Sequence, residues 1–172
     1  WLNSNDARAT RIRQPPEKSS QGCCWASSLN PSPARMRAAR AGDEPFGALL
    51  VVDGAVRLTA RNAVLTESDP TRHAELTLVS DACRRFDAAT LARGTIYSST
   101  EPCMMCCGAV YWSRIPRVVF GCSAAALGAI AGGSLVAQSR QLFAHGQRGV
   151  EVIGPVLEHE ATAVLRRFWP RS

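Results

Sequence analysis

The chain has 172 residues, 46% apolar and 20% charged, with a formal net charge of +6. This is an ordinary globular profile, long enough for one domain with a buried core. No run approaches the roughly 18 apolar residues that a membrane span needs, which excludes a spanning helix. The charge is unevenly placed: residues 1–40 hold seven basic groups against Asp6 and Glu17, whereas residues 41–172 hold thirteen basic and twelve acidic groups. The compact part therefore nets +1 and shows no electrostatic footprint for nucleic acid. No charged region followed by an apolar one marks a secretory signal. Seven cysteines, an odd number with two adjacent pairs (Cys23-Cys24 and Cys106-Cys107), suit metal binding in a reducing, cytoplasmic compartment better than a disulfide scaffold.

In chain order, residues 1–33 carry four prolines, many Ser and Asn, and no periodicity, so they are expected to be a disordered or adventitious tail before a domain at 34–172. Ala34 to Ala41 allows one or two helical turns, ended by Gly42. Residues 48–52 read as a buried strand, Asp53-Gly54 as a hairpin turn, and residues 55–61 as the returning strand. Asp69-Pro70-Thr71 signals a helix start, running to about Phe86. A strand over 94–99 follows, then a helix opened by Thr100-Glu101-Pro102 and ending near Arg114. A strand over 117–122 comes next, with a packed surface element rich in Ala and Gly near 124–136. A helix over 134–145, a strand over 150–153 and a closing helix over 158–169 complete the chain. Two strands and then repeated helix–strand units predict an α/β sandwich with one sheet covered by helices.

Two short motifs carry chemistry. His73-Ala74-Glu75 lies at the start of one predicted helix, and Pro102-Cys103-Met104-Met105-Cys106 at the start of another. Zinc prefers thiolate and imidazole in tetrahedral geometry. Cysteines three apart on a helix share a face, so Cys103 and Cys106 can reach one ion, and Cys107, four residues from Cys103, shares that spacing. Helix N-termini favour thiolates. Three protein ligands leave a fourth position open, as a catalytic zinc requires, and a water there becomes a nucleophile near neutral pH. Glu75 is rotated about 200° from His73 around a helix, so it borders the same pocket rather than binding the ion, and a carboxylate there can carry protons.

Joined in this order, these motifs resemble the cytidine deaminase-like superfamily, in particular its guanine deaminase and tRNA adenosine deaminase branch. The resemblance covers about Gly42 to Trp169. It rests on Pro45-Phe46-Gly47-Ala48, Asn62, residues 69–75 and residues 101–109. It implies a three-layer α/β/α sandwich around a mixed sheet of about five strands. It also implies His73, Cys103 and Cys106 as zinc ligands, Cys106 rather than Cys107, and Glu75 as proton shuttle. Asn62 would hydrogen-bond the base, Phe46 would line the pocket, and the backbone N–H groups of Ala74 and Cys103 would face substrate. Cys83, Cys107 and Cys122 are expected in the core, His145 and His159 on the surface.

For the substrate, the resemblance points two ways. Tyr111-Trp112 is similar to a pair with which guanine deaminases hold the base, so Trp112 is a candidate substrate-binding residue. Gly121 and the Gly132-Gly133-Ser134-Leu135 segment are closer to the tRNA enzymes, and residues 128–135 lack the acidic group that guanine deaminases place in this region. The expected activity is hydrolytic deamination of a small nucleobase or nucleoside, a guanine-like purine first, with tRNA adenosine-to-inosine deamination at the anticodon loop as the alternative. A zinc-stabilised binding module without turnover is disfavoured, because a structural zinc normally takes four protein ligands. A homodimer is implied by resemblance. The family's long first helix is matched only at its end by residues 34–41, and the lost packing is expected to expose apolar sheet surface.

Overall fold

The computed structural model describes residues 32–133 and 135–170. The expected tail, Cys23, Cys24, Ser134 and Arg171 fall outside these residues, save for positions 32 and 33, which open a helix. The described elements are α1 (Ser32–Ala41), β1 (Gly47–Val52), β2 (Ala55–Arg61), α2 (Ala74–Arg85), α3 (Ala88–Leu91), β3 (Gly94–Thr100), α4 (Met104–Ser113), β4 (Arg117–Cys122), α5 (Ala124–Ala131), α6 (Ser139–Ala144), β5 (Glu151–Ile153) and α7 (Glu158–Phe168).

The strands form one mixed sheet in the order β2-β1-β3-β4-β5. β1 runs antiparallel to both β2 and β3, and β3, β4 and β5 run parallel. Asp53 and Gly54 both adopt positive φ, 52° and 77°, as a tight hairpin turn demands. β1 is buried at all six positions because helices cover both of its faces. Its even residues Ala48, Leu50 and Val52 join Leu78 and Ala82 of α2, Val110 of α4 and Phe143 of α6 in the main core. On the opposite face Cys122 meets Ala161 and Leu165 of α7, with Leu127 and Ile130 of α5 against them. The result is the three-layer α/β/α sandwich expected.

α1 is longer than one or two turns, and it buries Ala34, Arg35 and Ala38. With β1 wholly buried, the apolar exposure expected from a short first helix does not occur on this strand. Gly121 has a packing reason: a Cβ there would sit 2.9 Å from the Ser99 carbonyl oxygen and 3.1 Å from the Ala161 Cβ, so α7 can lie close on β4.

Several boundaries differ from expectation. α2 starts at Ala74, not near Asp69, because the Asp69 carboxylate accepts from the backbone N–H of Thr71 (2.8 Å) and its hydroxyl (2.7 Å), which closes a local turn. The helix expected over 134–145 is only Ser139–Ala144, since Glu101 captures the Ser139 N–H and fixes the start there. α5 is a helix of Ala, Gly, Leu and Ile whose uniform composition hides any period, although Ser123 caps it by accepting from Ala126 N–H at 3.2 Å. α3 escapes notice because it is four residues long, capped by Asp87. Cys83 is exposed on the outer side of α2 rather than in the core, whereas Cys107 and Cys122 are buried and His145 and His159 are exposed.

Candidate metal centre and active site

The Asp69 turn delivers His73 to the position before α2 in extended backbone (φ −64°, ψ 148°), and Pro102 delivers Cys103 to the same position before α4 (φ −68°, ψ 175°). These cap positions normally spend a side chain on the free N–H groups of the first turn. Neither His73 nor Cys103 does so. Their side chains turn towards each other instead, where the two helix N-termini favour anionic sulfur.

Cys106, one turn into α4, completes a triangle. Cys103 Sγ lies 3.6 Å from His73 Nδ1 and 3.6 Å from Cys106 Sγ, and Cys106 Sγ lies 3.7 Å from His73 Nδ1. Tetrahedral zinc with Zn–S of about 2.3 Å and Zn–N of about 2.05 Å requires S···S near 3.8 Å and S···N near 3.6 Å. The three groups thus fit a zinc ion. Among the described residues they are the one His/Cys/Asp/Glu group close enough to hold a metal. Cys107 points away, its thiol 3.3 Å from the Pro102 carbonyl in the main core, and burial pushes it up to about 12.

Without metal the pair of thiols shares protons unequally. Cys103 is held low, at about 4, first by its contact with Cys106 and then by His73. Cys106 is pushed upward by the same contact and by burial. The Cys103 contact raises His73. Such a site carries protons that zinc must displace.

Glu75 is buried beside the triangle. The Ser98 hydroxyl of β3 donates to its Oε1, and Cys106 Sγ lies 3.7 Å from its Oε2. Burial raises its pKa, with the Ser98 bond opposing. A carboxyl group with raised affinity for protons, next to a metal triangle, is a group able to accept a proton and pass it on.

The zinc-binding region of cytidine and deoxycytidylate deaminases matches residues 29–122. The chain belongs to this family. It is therefore a protein of the zinc-dependent deaminases, which hydrolyse C–N bonds. This deaminase is 49% identical to a guanine deaminase of Bacillus subtilis (strain 168) over 76 residues, 44% of this chain and 48% of that protein. It is 35% identical to a tRNA-specific adenosine deaminase of the same organism over 133 residues, 77% of this chain and 80% of the relative. Against the guanine deaminase the match thus spans about half the relative's length. A solved guanine deaminase from Nitrosomonas europaea superposes with a TM-score of 0.73 over 97% of this chain and 98% of that one, at 23% identity, which speaks to the fold alone.

In the deaminase the remaining candidate residues divide. Ala74 is buried at the first position of α2, and Asn62 is buried after β2, its N–H donating to the Phe46 carbonyl at 3.0 Å and its Oδ1 accepting from Val64 N–H at 3.0 Å. The Phe46 ring packs 6.0 Å from Trp169 in the second core cluster. Trp112 is not brought to the triangle within this chain. It sits in the last turn of α4, about 13 Å along the axis from Cys103 at 1.5 Å per residue, and is 82% exposed. Tyr111 is covered by the Arg148 guanidinium, 4.9 Å above its ring.

Two residues around the site, Ser98 and Asp43, gave no signal in the sequence, and a third, Glu101, stood in the cysteine motif without its role being legible. Ser98 is a small strand residue whose role depends on register. Asp43 is buried and accepts from Arg61 (2.6 Å), Leu65 N–H (2.9 Å) and Thr66, fixing the loop after Asn62. Glu101, beside the cysteine motif, accepts from Ser139 and from Ala124 N–H, which ties α5 and α6 to the metal loop.

Proposed function

We propose that this chain catalyses zinc-dependent hydrolytic deamination of a purine base or nucleoside, guanine-like by preference. The observation that carries the chemistry is the three-ligand triangle with a buried carboxylate, Glu75, held against it by Ser98. His73, Cys103 and Cys106 hold the ion, and bound zinc supplies water activated near neutral pH. Glu75 would carry the two protons of the attacking water in turn, the first to a ring nitrogen and the second to the departing amine. Oxygen ends on the ring carbon as a carbonyl, and nitrogen leaves as ammonia. Asn62 and the N–H groups of Ala74 and Cys103 orient the base.

Two features support a small substrate: residues 41–172 net only +1, and the guanine deaminase relative is 49% identical across the matched stretch. Phosphate-gripping proteins instead gain affinity from clustered basic groups. A second reading, deamination of a tRNA anticodon adenosine, is favoured by the longer match to a tRNA-specific adenosine deaminase. We also propose a homodimer and a reducing, cytoplasmic setting, the latter supported by five free cysteines among the described residues. Among those residues no helix is long and apolar enough to cross a membrane.

The deciding experiment is ammonia release from guanine, guanosine, adenine, cytosine and an anticodon stem-loop at two salt concentrations, with zinc content measured in parallel. Turnover of guanine or guanosine with one zinc per chain is the expected result. Efficient, salt-sensitive deamination of the stem-loop with no small-molecule turnover would overturn the small-substrate reading in favour of tRNA. Zinc retained in Cys106→Ala and lost in Cys107→Ala would overturn the ligand set.

A further inference from the structure

Glu101 joins the end of β3 to the metal loop, and its carboxylate is buried. Both oxygens are used. Oε1 accepts from the Ser139 N–H at 2.8 Å and the Ser139 hydroxyl at 2.7 Å, and Oε2 accepts from the Ala124 N–H at 2.9 Å. Ala124 is the first residue of α5 and Ser139 the first of α6, so one carboxylate faces two helix N-termini. An anion suits that place, because free N–H groups and helix dipoles converge there. The Glu101 N–H donates in turn to the Cys122 carbonyl at the end of β4, at 2.7 Å.

Helix capping alone does not account for this arrangement. α5 already has a cap in Ser123, which accepts from Ala126 N–H, and Ser123 is itself held by Glu158. What Glu101 adds is a link to the metal loop. Only Pro102 separates it from Cys103, and Pro102 is fully buried with a locked φ. Cys103 sits before α4 in extended backbone, outside the helix that carries Cys106. Its sulfur nevertheless lies 3.6 Å from both Cys106 Sγ and His73 Nδ1, as shared zinc ligation requires. Pro102 has no N–H to donate and its carbonyl meets the weak Cys107 thiol donor, so the charged anchor upstream of Cys103 is Glu101.

We propose that Glu101 is a positioning residue for the zinc centre: by bridging the N-termini of α5 and α6 it fixes the backbone of Cys103 and so sets metal affinity. A carboxylate is needed because both oxygens must accept. Glutamine offers one acceptor and turns an amide NH2 against either Ser139 or the Ala124 N–H, which leaves one helix start unbound. The inference rests on His73, Cys103 and Cys106 as ligands and is independent of which base is deaminated.

The test is zinc affinity of the full chain, measured by competition with a chromophoric chelator, with the melting temperature of each zinc-loaded protein alongside. The parent is compared with Glu101→Gln, Ser139→Ala, Glu158→Ala and His73→Ala. Glu101→Gln is expected to bind zinc about 10- to 100-fold more weakly, the usual effect of removing a group that orients a ligand. Ser139→Ala removes one of the three bonds and is expected to weaken binding about fivefold. Glu158→Ala loosens α5 from the Ser123 side instead, and is expected to lower the melting temperature while zinc affinity stays within about twofold. Parental zinc affinity in Glu101→Gln overturns the assignment. A fall of equal size in Glu158→Ala overturns it too, because the loss then traces to general stability. Should Glu101→Gln fail to fold, Ser139→Ala decides, and parental affinity there overturns the assignment. His73→Ala with parental zinc affinity overturns the ligand set itself, which separates failure of that reading from failure of this one.

Discussion

Glu75 has Ser98 on one oxygen and a cysteine sulfur 3.7 Å from the other, so its side chain is fixed before substrate arrives. Glu75→Gln keeps the size and the Ser98 contact but cannot shuttle a proton. It is expected to retain zinc and the fold while losing about 10² to 10⁴ in turnover, measured by ammonia release against metal content. An active Glu75→Gln protein would point to another proton carrier. Asp43 acts on stability instead. Burial alone would raise its pKa, but the bonds from Thr66, Arg61 and Leu65 outweigh that and hold it below the ordinary carboxylate range. A depressed folded value means that this stability is present above the unfolded pKa of about 3.9 and is lost as pH falls through the folded value. Asp43→Asn is expected to cost about 3 kcal/mol at pH 7 in urea unfolding, with a flatter acid limb than the parent, because a buried ionic partner is removed. An unchanged midpoint would show that Arg61 and the loop are satisfied by water. The sequence exposes Glu75 because its role is packed into a three-residue motif. Asp43 and Ser98 stay hidden because their partners come from β2, the following loop and α2, and only the fold sets that meeting.

The two helix N-termini make one binding unit, and the unit rather than any single residue sets metal affinity. Cys103 is already a thiolate over most of the pH range, at about 4, but Cys106 keeps its proton and His73 is raised by the Cys103 contact. Zinc requires these groups deprotonated, so uptake releases at least one proton and affinity rises with pH, by about tenfold per unit for each proton released. Zinc titrations in buffers of different ionisation enthalpy at pH 6, 7 and 8 measure the number. A pH-independent affinity would mean that the ligands are deprotonated before metal arrives. The same scale explains what the sequence leaves illegible. The cysteine spacing and the Asp53-Gly54 turn announce themselves through local rules. α6 begins where Glu101, 38 residues away, captures Ser139, and α2 begins late because Asp69 bonds locally to Thr71. Helix boundaries decided by a distant carboxylate cannot be found from periodicity in the helix itself.

At the scale of the whole molecule, one surface stands apart. α4 contains no charged residue in its ten positions. One side packs on the core through Cys107 and Val110, while Met104, Met105 and Trp112 are 43%, 37% and 82% exposed on the rest. A helix apolar all round is normally covered, and a contiguous exposed apolar patch marks an interaction surface. A second copy placing the same helix face against it would bury both patches at once, as a two-fold interface requires. The charge distribution permits this, because residues 41–172 net only +1 and self-repulsion is small. Light scattering after size exclusion is therefore expected to give twice the chain mass for the parent at micromolar concentration. Trp112→Glu places a charge in the patch and is expected to give the single-chain mass, with zinc content unchanged because Trp112 lies at the far end of α4 from Cys103. A parent that runs as a single chain at that concentration would sink the dimer. A Trp112→Glu protein that stays dimeric with full zinc would move the interface off α4 while leaving the metal centre as described.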